Sequence, residues 1–476
     1  MKKHFHKILF VATVALLSLV LFQTFTGLLP LPALNGAVMV TEKPKLTLKS
    51  YTDGTFQSET EKYLREHCGF REWLIRAYNQ WLWSCFGEAN NSTIMEGKDG
   101  WLFEEVYVRD HYESSMYKYT DDTAAMKQIF ETEALRMWKV QELLKEHGIH
   151  IFVNINPGKD VIYPEYLPEN KSYSRPVGVR AYEFYIKRFN ELGINYIDNV
   201  PIFKAIKNSA EYPLYYKTGI HWSNISAVHV FDSIIRYIEV LGNQNLNNIE
   251  IGEKYEADAR YPDNDLEKVL NLAFKIKSPP YYYADVKVVH DSTAEKPSLL
   301  TIGDSFYWNF VFNIPMLEIF RKAPYWYYNY EVHGDEEHEN GSTLDLDLDS
   351  ELMSADYIML NYGTLQLYEL GSQFLPNALV RLCFDKEATD SIARKVMKII
   401  EANPEWHAET VRSAKARNIS VEQALYENAL YLIRTEPEKY IDELSGDKLP
   451  VSRNKKLVKL RAEKKRTFAY SKSQSK

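Results

Sequence analysis

The run Leu299-Leu300-Thr301-Ile302 stops abruptly at Gly303-Asp304-Ser305-Phe306, and it narrows the folds open to this chain more than any other stretch. Aliphatic and β-branched residues closed by a glycine and an acid read as a buried strand that hands its last residues to a turn at a sheet edge. At the carboxyl end of a parallel strand the chain leaves the sheet beside the crevice in which open α/β folds bind ligands. Ser305 in that turn would offer an attacking hydroxyl, and its own backbone N–H a first donor for an oxyanion. Gly-Asp-Ser is also ordinary turn chemistry, so the tripeptide needs a partner.

A candidate partner lies upstream, in Tyr216-Lys217-Thr218-Gly219-Ile220-His221-Trp222-Ser223. A serine hydroxyl is inert at neutral pH without a base in hydrogen-bond reach, and histidine has the ordinary pKa that suits this work. His221 is the candidate base, although a loop histidine can equally be a packing or capping residue. Around these stretches the chain alternates helix, apolar strand and polar loop, which is the rhythm of an α/β fold with a parallel sheet flanked by helices. The spacing predicts a long amphipathic helix from Asp121 to about His150, a strand over 149–155, a helix over 179–192 and a strand over 195–197. A helix over 227–241, the strand before Ser305 and a strand over 356–360 follow. The loops at Asn156, Ser305 and Asn361 would then meet on one sheet edge, with His221 reaching them from its own loop. Asp99-Gly100-Trp101 predicts a hairpin turn packing Trp101, and Lys159 reads as a surface lysine beside a turn.

Four motifs in order carry a resemblance: Gly97-Lys98-Asp99-Gly100-Trp101-Leu102-Phe103, Asn156-Pro157-Gly158-Lys159 followed by Tyr163-Pro164-Glu165-Tyr166-Leu167-Pro168, His221-Trp222, and Gly303-Asp304-Ser305-Phe306. Over roughly residues 45–385 the chain resembles the AlgX/AlgJ-type alginate O-acetyltransferases, SGNH-hydrolase-like proteins of bacterial cell envelopes. The resemblance implies a permuted SGNH domain in which the histidine precedes the serine. It also implies acetyl transfer onto an exported polysaccharide through a Ser305–His221 acyl-enzyme, with no cofactor and with a membrane-bound O-acyltransferase as the acetyl-donor partner. SGNH proteins place an asparagine in the oxyanion hole, and Asn361 stands where it would serve beside the Ser305 N–H, unless it caps the next turn.

One position departs from the family pattern. The family carries Asp-x-His-Trp, where the acid orients the imidazole; this chain has Gly219-Ile220-His221-Trp222. Asp198, at the end of the strand over 195–197, is a conceivable substitute, although an acid there is commonly a cap. Otherwise a main-chain carbonyl holds His221, or the chain has lost catalysis and serves as a polysaccharide-binding scaffold. A carbohydrate esterase would use the same residues with water as acceptor.

Composition bears on the partners. A net charge of −8 argues against nucleic acid, while 34 tyrosines and 9 tryptophans suit stacking on sugar rings as well as aromatic cores. Residues 1–30, with Lys2, Lys3 and Lys7 before a long apolar run, read as an uncleaved anchor in the inner membrane or a signal segment, leaving the main domain in the periplasm. The entry segment from Lys45 to about Phe86 predicts helix in which Tyr63, Leu64, Phe70, Trp73, Leu74, Ala77, Tyr78, Trp81 and Leu82 bury a core face. Cys68 and Cys85 either pair or remain buried thiols, Cys383 stands alone, and no metal site is expected. Residues 246–296 read as an irregular insertion or lid carrying hairpins, Tyr325–Tyr330 as an aromatic run near the Ser305 edge, and His333–Glu339 as an acidic loop. Residues 386–450 predict a helical module of three short helices, and 451–476 a basic disordered tail able to touch anionic lipid or a partner.

Overall fold

In the strand over Tyr357–Gly363, Ile358, Leu360 and Tyr362 pack into one apolar cluster and Tyr357 and Met359 into another. A strand buried on both faces requires a helical layer on each side of its sheet. The structure, a computed structural model, describes residues 2–30, 32–36, 41–113, 123–169 and 180–474. Its strands are β1 (Ile94–Glu96), β2 (Leu102–Glu104), β3 (His150–Asn156), β4 (Tyr196–Asp198), β5 (Asn248–Ala257), β6 (Tyr281–Val289), β7 (Leu299–Gly303), β8 (Tyr325–Tyr327), β9 (Glu331–His333) and β10 (Tyr357–Gly363). The principal helices are α1 (Lys2–Thr26), α2 (Arg71–Phe86), α3 (Thr123–Glu146), α4 (Ala181–Leu192), α5 (Asn224–Gly242), α6 (Asp265–Leu270), α7 (Trp308–Asn313), α8 (Phe374–Cys383), α9 (Lys386–Ala402), α10 (Pro404–Arg417), α11 (Val421–Thr435) and α12 (Lys455–Gln474). The helix starts expected at Asp121 and Val179 lie outside the described residues, as do Ser475 and Lys476.

The main sheet has the order β4-β3-β10-β7-β8-β9. All neighbours are parallel except β8 and β9. The expected parallel sheet is thus mixed. Tyr328 and Asn329 take positive φ in the turn after β8, and so short a link cannot make the crossover that a parallel pair needs. Helices α3, α4 and α8 cover the face of Ile358, while α5 and α7 cover the face of Met359. This is an α/β arrangement of a mixed sheet between helices. The stretch expected as an irregular lid contains the two-stranded antiparallel pair β5–β6 with α6 between its strands.

The three C-terminal helices begin where capping side chains stand. Asp385 accepts from the Ala388 N–H, Asn403 accepts from Glu405 and Trp406 with Pro404 beside it, and Ser420 accepts from Gln423. Their Ala393, Val396, Ile400, Leu425, Ala429 and Ile433 share the apolar cluster of β3 and β10. The tail expected to be disordered is helical. Leu457 is buried in that cluster, and Arg461 donates to the carbonyls of Met353 and Ala355 and to the Asp356 carboxylate at 2.9, 2.7 and 2.9 Å. One apolar anchor and one fully paired guanidinium order a segment whose net charge alone suggested otherwise.

At the other end, Phe5–Thr26 is long and apolar enough to cross a membrane. The entry segment differs from expectation: α2 fully buries only Asn79, Trp73, Leu74, Tyr78, Trp81 and Phe86 are exposed, and Ile75, Leu82 and Trp83 are half-buried. It meets the domain through Trp83, packed against the cluster of Leu266 and Leu270, and through polar groups, with Asn79 Nδ2 donating to the Leu270 carbonyl at 2.8 Å and Gln80 Oε1 accepting from the Phe274 N–H at 2.9 Å. Cys68, Cys85 and Cys383 are unpaired, and Cys85 is exposed rather than buried.

Candidate active site

Backbone register builds the serine side. Gly303 pairs with Asn361, and a Cβ on Gly303 would lie 2.4 Å from the Asn361 carbonyl oxygen, so only glycine lets β7 finish this close to β10. The next residue clamps the turn: Asp304 Oδ1 accepts from the Phe306 N–H at 3.1 Å and Oδ2 from the Gly363 N–H at 2.6 Å. Burial raises the Asp304 pKa to about 6 against the lowering effect of those two donors. Ser305 then opens a short helical turn, where the first N–H groups have no partner within the turn itself.

Loop contacts build the histidine side. Trp222, fully buried, packs edge-on against Phe306 with ring centroids 5.5 Å apart. His221 Nε2 lies 2.8 Å from Ser305 Oγ, and His221 Nδ1 lies 2.6 Å from Asp265 Oδ2. The other oxygen of Asp265 accepts from the Ile220 N–H at 2.9 Å and the Leu266 N–H at 2.8 Å. One carboxylate therefore fixes both the imidazole and the backbone that carries it. Burial alone would depress the His221 pKa, but the charge and hydrogen bond of Asp265 outweigh it and the pKa is raised.

Asp198 does not orient the histidine. Its carboxylate accepts from the Val200 N–H at 3.0 Å, capping the helix over Asn199–Ile206, and from the Tyr182 hydroxyl at 2.9 Å. Asp265 takes the part considered for Asp198, from within the stretch read as a lid. Pro262-Asp263-Asn264-Asp265 before Leu266 is a helix-start signature, but nothing in the sequence ties it to a histidine upstream. The glycine at 219 has a steric cause, since a Cβ there would lie 2.6 Å from the Asp263 carbonyl oxygen. The segment that brings the acid occupies the space that an acid at 219 would need.

Asn361 lies inside β10 rather than in the loop after it. Its Oδ1 accepts from Asn154 Nδ2 at 2.8 Å, while its Nδ2 is buried with no hydrogen-bond partner among the described residues. Lys159, read as a surface lysine, is fully buried. Its Nζ donates to the carbonyls of Leu102, Lys217 and Gly219 at 2.7, 3.2 and 2.7 Å, tying β2 to the His221 loop. All three ammonium protons find acceptors, and burial pushes its pKa well down.

Ser305, His221 and Asp265 open onto a cleft of about 620 Å³ that Glu104, Tyr107, Tyr261, Tyr327 and Tyr328 also line. Burial and the Asp265 charge raise the Glu104 pKa. Glu104 carried no sequence signal beyond following the hairpin motif. In the acidic loop, His338 pairs with Asp335 at 3.0 Å, and no group of three or more metal-ligating side chains gathers among the described residues. A nucleophile, a base and an orienting acid in hydrogen-bond series at a cleft are equipped for acyl transfer.

Residues 94–311, which include all three of these side chains, match the family model described as "SGNH hydrolase-like domain, acetyltransferase AlgX". Among solved structures, the O-acetyltransferase domain of Pseudomonas putida AlgJ is similar at 16% identity over 61% of this chain and 99% of that one, with a TM-score of 0.40. Pseudomonas aeruginosa AlgX is similar at 15% identity over 61% of this chain and 66% of that one, with a TM-score of 0.37. Bacillus cereus PatB1 is similar at 13% identity over 58% and 97%, with a TM-score of 0.34. No curated protein matches the chain. Through residues 94–311 the chain is similar to the SGNH hydrolase-like, AlgX-type acetyltransferases.

Proposed function

We propose that this protein is a polysaccharide O-acetyltransferase that works through an acetyl-Ser305 intermediate. The observation that carries the reading is the hydrogen-bonded series Ser305 Oγ, His221 Nε2, His221 Nδ1 and Asp265 Oδ2. As the Ser305 oxygen bonds to the acetyl carbon of an ester donor, His221 Nε2 takes the hydroxyl proton and Asp265 stabilises the imidazolium. The Ser305 N–H holds the oxyanion, with the unpaired Asn361 Nδ2 as the second donor. Collapse breaks the bond to the donor's alcohol oxygen, which receives the proton from His221. A sugar hydroxyl then enters, gives its proton to His221 and takes the acetyl group, which restores Ser305. Tyr261, Tyr327 and Tyr328 supply ring faces at the cleft for that sugar.

The acceptor is an exported polysaccharide, and a membrane-bound O-acyltransferase supplies the acetyl group. The chain is held in the inner membrane by α1 as a retained anchor, with its main domain in the periplasm; the acetyltransferase domain runs over about residues 45–385. Intact-mass analysis of the full chain after incubation with an activated acetyl ester tests the mechanism. A single acetyl adduct is expected on the parent and not on Ser305→Ala. An equal adduct on Ser305→Ala, or none on the folded parent, would overturn the reading. Adding polysaccharide separates transfer from hydrolysis by whether the label appears on sugar or as free acetate.

A further inference from the structure

We propose that α2 is a lipid-docking helix lying in the membrane interface beside the anchor, so that the catalytic cleft is held at the bilayer surface. The proposal rests on reading α1 as a retained span. Of the 16 residues of α2 only Asn79 is buried. Leu74, Tyr78 and Trp81, spaced as one helical stripe, are 57%, 51% and 52% exposed, and Trp73 and Phe86 are exposed to a similar degree. A face this rich in aromatic rings is poorly matched to bulk water, whereas tryptophan and tyrosine suit the headgroup layer, where an apolar ring body and a polar tip are both satisfied.

The neighbours of α2 identify what covers it. The Gly69 N–H, just before α2, donates to Thr24 Oγ1 in the last turn of α1 at 2.7 Å, and a Cβ on Gly69 would lie 2.5 Å from the Val20 carbonyl oxygen. A span ending at Thr26 has that last turn at the bilayer surface, so α2 begins there too. Arg76 donates to the carbonyls of Pro32 and Ala33 at 3.0 and 2.7 Å, binding the stretch after the anchor along α2. On its other side α2 is bonded through Asn79 to the end of α6, the helix that starts with Asp265. Asn35 and Gly36, ten residues or fewer beyond the span, line the cleft itself. An acetyl donor presented at the membrane surface then reaches Ser305 without crossing bulk water.

The test uses the full-length chain with Cys68→Ser and a spin label on Cys85, which extends the Leu74-Tyr78-Trp81 stripe and is exposed while Cys383 is buried. The protein is reconstituted alone in vesicles of phosphatidylethanolamine and phosphatidylglycerol, and retention of α1 is followed separately by resistance to alkaline extraction. Docking predicts that the label relaxes faster with oxygen than with a water-soluble nickel chelate. It also predicts that the double variant Leu74→Glu with Trp81→Glu, both surface positions, reverses that ratio while keeping the circular dichroism of the parent. A chelate-accessible label on a chain that resists extraction would overturn docking and leave the span standing. A lipid-exposed label on an extractable chain would keep docking without the span, and a chelate-accessible label on an extractable chain would remove both. A label shielded only after a membrane protein is added would make the face a protein interface and overturn the proposal.

Discussion

The two walls of the cleft are held by different physics. The serine wall is an extension of the sheet: β7 and β10 are in register through Gly303 and Asn361, and Asp304 locks the turn with backbone donors from Phe306 and Gly363. The histidine wall has no sheet behind it. His221 is placed by Asp265 through the Ile220 N–H, by Lys159 through two carbonyls of its own loop, and by the seating of Gly219 against Asp263. One wall inherits its precision from strand pairing, and the other assembles it from contacts between segments far apart in the chain. Apart from Gly303 and Asp304 themselves, the serine wall should therefore tolerate changes nearby, whereas the histidine wall should fail at several places that never touch substrate.

The largest effect that separates the walls is expected from Asp265→Asn. The fold should survive, because the amide oxygen can still accept from Ile220 or Leu266, but turnover should fall by about 10⁴, the scale seen when the orienting acid of a serine triad is neutralised. Acetylation rates across pH sharpen the point. His221 works as a base only when neutral, so activity is lost as pH falls through its raised pKa. Removing the charge that raises it leaves burial, which lowers it, and the acid limb of the profile should move to lower pH. An unmoved limb would mean that Asp265 does not act on His221.

Gly219 comes next. Gly219→Ala drives a Cβ into the Asp263 carbonyl oxygen and should displace the histidine and its acid together. A shift on the order of 1 Å costs roughly 100-fold, read as slower acetylation of Ser305. Gly219→Asp, which would restore the family's spelling, should be at least as slow as Gly219→Ala. Faster acetylation by the Asp variant would show that the loop can open and accept an acid there.

The serine wall was legible in the sequence because it is local: an apolar run, a glycine and a serine announce a strand and its turn, and the α/β rhythm places them on one sheet edge. The same periodicity gave α3, β3, α4 and the C-terminal helices to within a few residues. The histidine wall was half legible. His221 stood in a recognisable motif, but Asp265 lies in a stretch without periodicity, and its role is written only in hydrogen bonds across the loops. Lys159 escaped for the same reason, since a lysine beside a turn is ordinarily solvated and only the three converging carbonyls bury it. The outward face of α2 misled the reading because helical apolar spacing reports an apolar contact without saying what makes it.

The smallest expected effect completes the comparison, because it concerns the acid that the sequence offered in place of Asp265. Asp198 ends β4 on the sheet side, and its two oxygens are already used by the Val200 N–H and the Tyr182 hydroxyl. Asp198→Asn keeps an oxygen for the cap and loses mainly the charge. Its removal should cost at most about 1 kcal/mol of stability, the usual worth of a helix cap, measured by chemical unfolding. The charge is also partly self-defeating, since burial raises the Asp198 pKa despite the two hydrogen bonds that lower it. Acetylation of Ser305 should proceed at the parental rate with the parental pH limb. If Asp198→Asn instead matched Asp265→Asn in rate and limb, the acid acting on His221 would be supplied from the sheet side, and the division of the cleft into a sheet-built wall and a loop-built wall would fail.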